Sequence, residues 1–198
     1  MIKNNFLQCR RRLLLAILLW ALTCFGHVSA EEIVVRDFAL YEGESSDSLV
    51  ADIRFEYQLT SYLRESLLNG ITLQNEIRFD LNWHSDWWWN KTENLDKIAA
   101  ELKYDALSRQ YQLVNKKSGK NWNFSNLAAA LEHMGAVRKH PLPTLPNNAF
   151  EGNASIFIEA TLTPVVAKSL DIPSKLSSLF SSEDHQLVSQ GVLWPLTR

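Results

Sequence analysis

The sequence predicts a mainly β fold, a β-sandwich-like domain of about seven antiparallel strands with two short packed α-helices. The first observation is an alternation of apolar and polar residues, which is typical of strands that bury one face and expose the other. It is clearest in residues 53–59 and 77–83, and it recurs in residues 98–104 and 156–162. The second observation is that few helical segments separate these strands. An antiparallel sandwich or a partly open barrel is therefore favoured over a doubly wound α/β fold.

Shorter segments complete the expected set of strands. Residues 33–40, 111–114 and 187–194 are the remaining strand candidates. Residues 103–112 predict a hairpin, because Asp105–Ser108 supplies turn-forming residues between two strand segments. These segments give the predicted sheets their remaining strands.

Two helices are expected between the strands. Thr60 or Ser61 can cap the first, which ends at Gly70. The second begins at Ser125 and ends at Gly135. Each has about ten residues and is too short to be stable alone, so both should pack their apolar side on the sheets. The apolar positions on one face of each helix are Leu63, Leu67 and Leu68 in the first, and Leu127, Leu131 and Met134 in the second.

The first thirty residues predict an export signal. Arg10–Arg12 precede an apolar run, and Val28–Ala30 supplies the small residues that a signal peptidase recognises. Cleavage there would leave residues 31–198 as one β-rich domain in the periplasm. The alternative is an uncleaved inner-membrane anchor formed by residues 13–28, although this run is shorter than the ~20 apolar residues of a membrane-spanning helix.

The composition of residues 31–198 excludes several classes of function. Both cysteines, Cys9 and Cys24, lie in the predicted signal, so the exported domain can form no disulfide and has no thiolate. Four of the 20 basic residues also lie there and no acidic ones, which leaves 16 basic against 22 acidic residues, a net charge of minus six. An acidic domain without a basic stripe is not expected to bind nucleic acid or anionic lipid.

The sequence contains no pattern that predicts catalysis, a cofactor or a metal site. His84-Ser85-Asp86 places an imidazole, a hydroxyl and a carboxylate together, but adjacent residues on a strand point to opposite faces. Glu76 and Asp80 face the same way, yet on the polar side of a predicted strand. Short-range metal-ligand spacing is absent around the four histidines of the exported domain, which are His84, His133, His140 and His185.

The most unusual local feature is a run of aromatic residues, in which Trp83 is followed by Trp87, Trp88 and Trp89. Neighbours on an extended segment alternate sides, so at least one of the three consecutive rings must face away from the core. Three interpretations are open. The rings could cap the end of the sandwich with their N–H groups hydrogen-bonded, form a protein-interaction patch, or contact lipid headgroups or sugar rings.

Several segments together resemble the uncharacterised proteobacterial family known as domain of unknown function 4390. One of them is residues 102–111, of which Tyr104 to Tyr111 is the most specific part, and the tail departs from the family because Trp194 is followed by Pro195. The resemblance implies an exported or membrane-associated protein, whose gene often lies near a sensor kinase gene, and it supplies no catalytic residues. The other resembling segments are residues 33–40, 59–70, 87–89, 124–127, 130–131 and 170–173.

These observations lead to the hypothesis of a non-enzymatic envelope domain that binds an envelope or membrane protein through Trp83, Trp87, Trp88 and Trp89. An accessory role in signalling is one form that this function could take. The first alternative is a hydrolase that acts on envelope glycan, built from scattered carboxylates and His84. The second is a structural envelope factor that contacts lipid. The oligomeric state is not predicted.

Overall fold

The computed structural model describes residues 32–43, 48–84, 91–165 and 186–197. Within these ranges the chain forms ten strands, two α-helices and one 3₁₀ turn, and the order of elements is β1 (Ile33–Glu42), β2 (Leu49–Tyr57), α1 (Ser61–Leu68), β3 (Thr72–Trp83), β4 (Lys91–Asp105), β5 (Gln110–Asn115), β6 (Asn121–Phe124), α2 (Leu127–Gly135), β7 (Ala136–Pro141), the 3₁₀ turn (Asn147–Phe150), β8 (Glu151–Val165), β9 (Leu187–Val188) and β10 (Val192–Thr197).

The strands form two antiparallel sheets that do not close into a barrel. The larger sheet has the order β10-β8-β3-β4-β5-β6, and the short β9 pairs with β8 as its seventh strand. The smaller sheet has the order β1-β2-β7. The predicted fold class, mainly β with two short packed helices, is therefore confirmed.

The described ranges contain more strands than the seven that the alternation predicts. The segment 187–194 divides into β9 and β10 around Gly191, whose positive φ of 72° turns the chain. β6 has only four residues, too few for a clear alternation. β7 lacks alternation because a bulge interrupts its pairing with β2, where Asp52 alone lies opposite two residues. Because of this bulge, the sequence pattern did not predict β7.

The predicted hairpin joins β4 and β5. Tyr104 lies opposite Tyr111, and Asp105 lies opposite Gln110. The Asp105 carboxylate accepts hydrogen bonds from the N–H groups of Leu107 at 2.9 Å and Ser108 at 3.3 Å. These bonds lower the pKa of Asp105 and hold the turn closed.

The inner faces of the two sheets share one hydrophobic core. Alternate residues of β2 are all buried from Leu49 to Tyr57, as expected for a strand with one apolar face. The Tyr57 hydroxyl donates a 2.8 Å hydrogen bond to Oδ1 of Asn75 on β3, which joins the sheets inside the core. Burial raises the pKa of Tyr57, so the phenol remains protonated and remains a donor.

Both helices begin at a side-chain cap. Oγ1 of Thr60 accepts the N–H of Leu63 at 2.9 Å, which identifies Thr60 as the cap of α1. For α2 the cap is Asn126, whose Oδ1 accepts the N–H of Ala129 at 2.8 Å, one residue after the predicted Ser125. Leu63 and Leu67 of α1 are fully buried, so this helix packs on the core as expected, whereas Leu68, predicted on the same face, is exposed. No helix in the described part of the chain is both long and apolar enough to span a membrane.

The end of α2 approaches β2 closely. A Cβ atom at Gly135 would lie 2.1 Å from the carbonyl oxygen of Phe55, which is backbone and cannot rotate away. Only a residue without a side chain allows this contact. The position therefore fixes the distance between helix and sheet.

We predict that Gly135→Ala destabilises the protein by about 1–3 kcal/mol, because α2 must move away from β2 and open the core. Urea unfolding followed by circular dichroism measures the change. Glu132→Ala, on the exposed side of the same helix, is the control and should stay within about 0.5 kcal/mol of the wild type. Equal stability of the two variants would contradict the close contact.

Candidate functional site

Trp83 is the last residue of β3 and lies opposite Lys91, the first residue of β4. Its side chain is partly buried and packs against the core. The indole Nε1 is shielded from solvent and makes no hydrogen bond of normal geometry. Lys91 donates a hydrogen bond to the Glu93 carboxylate, which lowers the pKa of Glu93 and outweighs the opposite effect of burial. The nearby Trp83 indole lowers the pKa of Glu93 further. The Trp83 side chain therefore contacts the core on one side and the charged residues Lys91 and Glu93 on the other.

Trp87, Trp88 and Trp89 lie outside the described residues. The chain on both sides of them is described, because the pairing of β3 and β4 extends to Trp83 and Lys91. The run therefore belongs to the connection between the two central strands of the larger sheet. We name Trp83 and Trp87–Trp89 the tryptophan end.

The structure describes two further tryptophans. Trp122 on β6 is partly buried, and its ring centroid lies 4.7 Å from that of His133 on α2. Trp194 on β10 is 40% exposed and makes an edge-to-face contact with Phe38 at 5.3 Å. None of the three described tryptophans belongs to the buried core, which aliphatic side chains, Phe55, Phe79 and Tyr57 fill. Trp83 and Trp122 therefore pack at the edge of the core, and Trp194 lies at the surface.

His84 pairs with a residue that the sequence did not indicate. Its Nε2 lies 3.0 Å from Oγ of Ser155, which is 71 positions away on β8. The backbone N–H of His84 donates to the carbonyl of Asn153 at 2.7 Å. Ser85 and Asp86 lie outside the described residues. Ser155 is only 1% exposed, so a substrate cannot reach its hydroxyl. The pair holds the end of β3 against β8.

The carboxylates considered for catalysis, Glu76 and Asp80, both have partners within the larger sheet. Glu76 lies 3.6 Å from Nζ of Lys97, and Asp80 accepts a 2.8 Å hydrogen bond from Asn94. A glycosidase needs one carboxyl group with a raised pKa as its general acid. Hydrogen bonds from cations or N–H groups instead lower the pKa of five described carboxyl groups, those of Glu56, Glu93, Asp96, Glu101 and Asp105.

No group of three or more metal-ligating side chains occurs in residues 32–43, 48–84, 91–165 and 186–197. A polar group in these ranges joins the two sheets. Nε2 of His140 on β7 lies 2.9 Å from Oδ2 of Asp96 on β4, and the imidazole stacks on Phe79 at 5.3 Å. Lys117 approaches the other carboxylate oxygen at 3.4 Å. Burial raises the pKa of Asp96, but hydrogen bonds from the Lys97 N–H, His140 and Lys117 outweigh it, and the net direction is downward.

We predict that Asp96→Asn reduces the free energy of unfolding at neutral pH by about 1–3 kcal/mol, since a charged acceptor that joins the sheets is lost. The pKa of Asp96 is lower in the folded than in the unfolded state, so its contribution is complete above the ordinary value of about 4 and is lost as pH falls through the folded value. Urea unfolding at pH 7 and at acid pH should show the two proteins converging on acidification.

The matched control for this prediction is Asp37→Asn. Asp37 pairs with Arg54 at 3.7 Å, but both side chains are more than half exposed. Loss of such a surface pair should cost less than about 1 kcal/mol. A stability difference for Asp96→Asn that does not depend on pH would show that the ionised carboxylate is not what joins the sheets.

Comparison with known proteins shows the family of the chain. A family model described as a domain of unknown function, DUF4390, matches residues 30–164, which include β1–β7 and nearly all of β8. No curated protein and no solved structure matches the chain. The resemblance seen in the sequence is thereby confirmed, and the chain belongs to the DUF4390 family.

Proposed function

We propose that this protein is a non-enzymatic binding domain of the cell envelope, which contacts a partner protein through the tryptophan end. One observation carries the proposal. The buried core contains none of the described tryptophans, although tryptophan is frequent in the sequence. Trp83 and Trp122 rest against the core with part of each ring exposed, and Trp194 is exposed, so the domain has indole surface available for a partner.

The geometry of Trp83 fits a contact residue. Its ring rests on the core, which limits its motion, and part of its surface remains exposed. Its Nε1 is shielded from solvent, so the exposed part of the ring and not the N–H group would contact a partner. A fixed aromatic ring that is partly exposed is typical of a residue that contributes to binding, because little side-chain entropy is lost on association.

The proposed location rests on the predicted export signal in residues 1–30. Cleavage after Ala30 would place residues 31–198 in the periplasm, where envelope and membrane proteins are the available partners. A domain without cysteine needs no disulfide exchange to fold there. An accessory role in signalling, implied by the family resemblance, is compatible with a partner in the inner membrane.

The described contacts favour binding over hydrolysis of envelope glycan. His84 is engaged with a buried serine, and the carboxylates considered for catalysis are engaged with lysine or asparagine. Contact with anionic lipid is disfavoured by the net charge of residues 31–198, because an acidic domain is repelled by an anionic surface. A protein partner is therefore the first choice to test.

We predict that replacing Trp87, Trp88 and Trp89 together by Ser abolishes crosslinking to the partner. A photoreactive residue at the exposed Lys91, beside the tryptophan end, reports the contact in intact cells expressing the full chain. The yield of the specific product should fall about tenfold or more, as expected for hot-spot residues. Folding of the variant is verified by its urea midpoint.

Trp194→Ser is the matched control, because it removes an exposed tryptophan from the edge of the same sheet. It should leave the crosslinked product unchanged. An unchanged product in the triple variant would refute the proposed surface. Binding to neutral liposomes that is lost in the same triple variant would assign the surface to lipid instead.

A further inference from the structure

The outer face of the smaller sheet contains a hollow of about 780 Å³. Three segments line it, Asp37–Ala39 of β1, Asp52–Arg54 of β2 and Ala136–Lys139 of β7. The hollow exists because small residues occupy this face of both outer strands, Ala39 opposite Asp52 and Ala136 opposite Arg54. Longer polar side chains surround them. The depression is therefore built into the pairing of the sheet.

A bulge forms one wall of the hollow. Asp52 lies opposite both Arg138 and Lys139, and Lys139 adopts a φ of 48°, which is uncommon for a residue with a side chain. Oδ1 of Asp52 accepts the N–H of Lys139 and holds this conformation. Strained backbone that the surrounding contacts maintain is often found at functional sites. In this protein the bulge places the consecutive residues Arg138 and Lys139 in the same wall of the hollow.

The acidic side chains of the hollow are satisfied within the protein, whereas two of the cations are not. Oδ2 of Asp52 accepts a 3.2 Å hydrogen bond from the hydroxyl of Tyr41. Asp37 pairs with Arg54 at 3.7 Å. In the described ranges Arg138 and Lys139 are exposed and have no anionic partner. The hollow thus has three cations against two carboxylates, and the oxygens of both carboxylates are already engaged within the protein.

We propose that this hollow binds the carboxylate side chains of an acidic, extended segment of a partner protein. Charge complementarity identifies the ligand chemistry, because Arg138 can donate to a carboxylate in a bidentate manner and Lys139 adds a second charge. The two alanines of the hollow, Ala39 and Ala136, form a small apolar floor that accommodates the aliphatic part of a glutamate. This surface lies on a different sheet from the tryptophan end, so it does not depend on the function proposed above.

The shape and the charge of the domain favour a peptide over other anions. β7 is an edge strand of the smaller sheet, and within the described ranges no strand pairs with its outer side, so an extended chain can lie along it. Nucleic acid and anionic membranes present many charges over a large area, and a domain of net charge minus six is repelled by them at longer range. A short acidic segment meets only the local positive charge.

Edge protection is the other reason for charged residues at a bulge. It would account for Arg138 and Lys139 on β7. It would not require an apolar floor beside them or contacts that engage both neighbouring aspartates. The two explanations differ in whether a carboxylate ligand binds.

The test uses the purified protein and a fluorescently labelled octapeptide of alternating Glu and Val, which presents all its carboxylates on one side when extended. Fluorescence anisotropy should show binding that weakens as NaCl rises from about 0.05 M to about 0.5 M. The same peptide with Gln in place of Glu should not bind. Arg138→Glu combined with Lys139→Glu should weaken binding of the acidic peptide about tenfold or more.

The charge-matched control is Arg64→Glu combined with Lys120→Glu, two exposed cations outside the hollow. It should bind the acidic peptide within about twofold of the wild type. Ala39→Phe fills the floor without changing the charge and should abolish binding. This second variant keeps the proposal testable if the doubly charge-reversed protein does not fold. Replacing Trp87–Trp89 should have no effect on this peptide.

Three results would overturn the proposal. The first is no binding of the acidic peptide by the wild type at millimolar concentration. The second is equal loss of binding in the charge-reversed variant and its control. The third is binding to phosphatidylglycerol vesicles that requires Arg138 and Lys139 while the peptide does not bind, which would assign the hollow to lipid headgroups.

Discussion

The packing of two apolar sheet faces against each other is the constraint on which the rest of this protein depends. The predicted exported domain has no cysteine, so burial of side chains must supply its stability. β2 in one sheet and β3 in the other present alternate buried residues to the same core. The polar contacts between the sheets, Tyr57 with Asn75 and His140 with Asp96, fix how those faces meet.

The sequence predicts the parts of the fold that follow local rules. The alternation in β2 and β3, the capped helices and the hairpin turn at Asp105 are all encoded by neighbouring residues. β7 was missed because its bulge breaks the period of two, and the bulge itself depends on Asp52, which is 87 positions from Lys139. The pairing of His84 with Ser155 spans 71 positions in the same way. Contacts of this length depend on tertiary packing, which no local pattern encodes.

The two proposed surfaces contain side chains that the core does not bury completely. Trp83 of the tryptophan end lies at the last pair of β3 with β4, where its ring packs at the edge of the core. The hollow lies on the outer face of the smaller sheet, where alternation directs polar residues outward and two alanines leave space. Sequence analysis could identify the first because tryptophans cluster in the chain. It could not identify the second, because the residues of the hollow come from three separate strands.

The central claim is that the described tryptophans lie at the edge of the core and keep part of each ring exposed. Quenching of the intrinsic tryptophan fluorescence by acrylamide, compared between the native protein and the protein in concentrated urea, tests it directly. Partly exposed indoles predict native quenching that is below the unfolded level but well above that of fully buried indoles. Strong protection and a blue-shifted emission in the native state would show that the indoles fill the core, and the account of a surface reserved for a partner would be wrong.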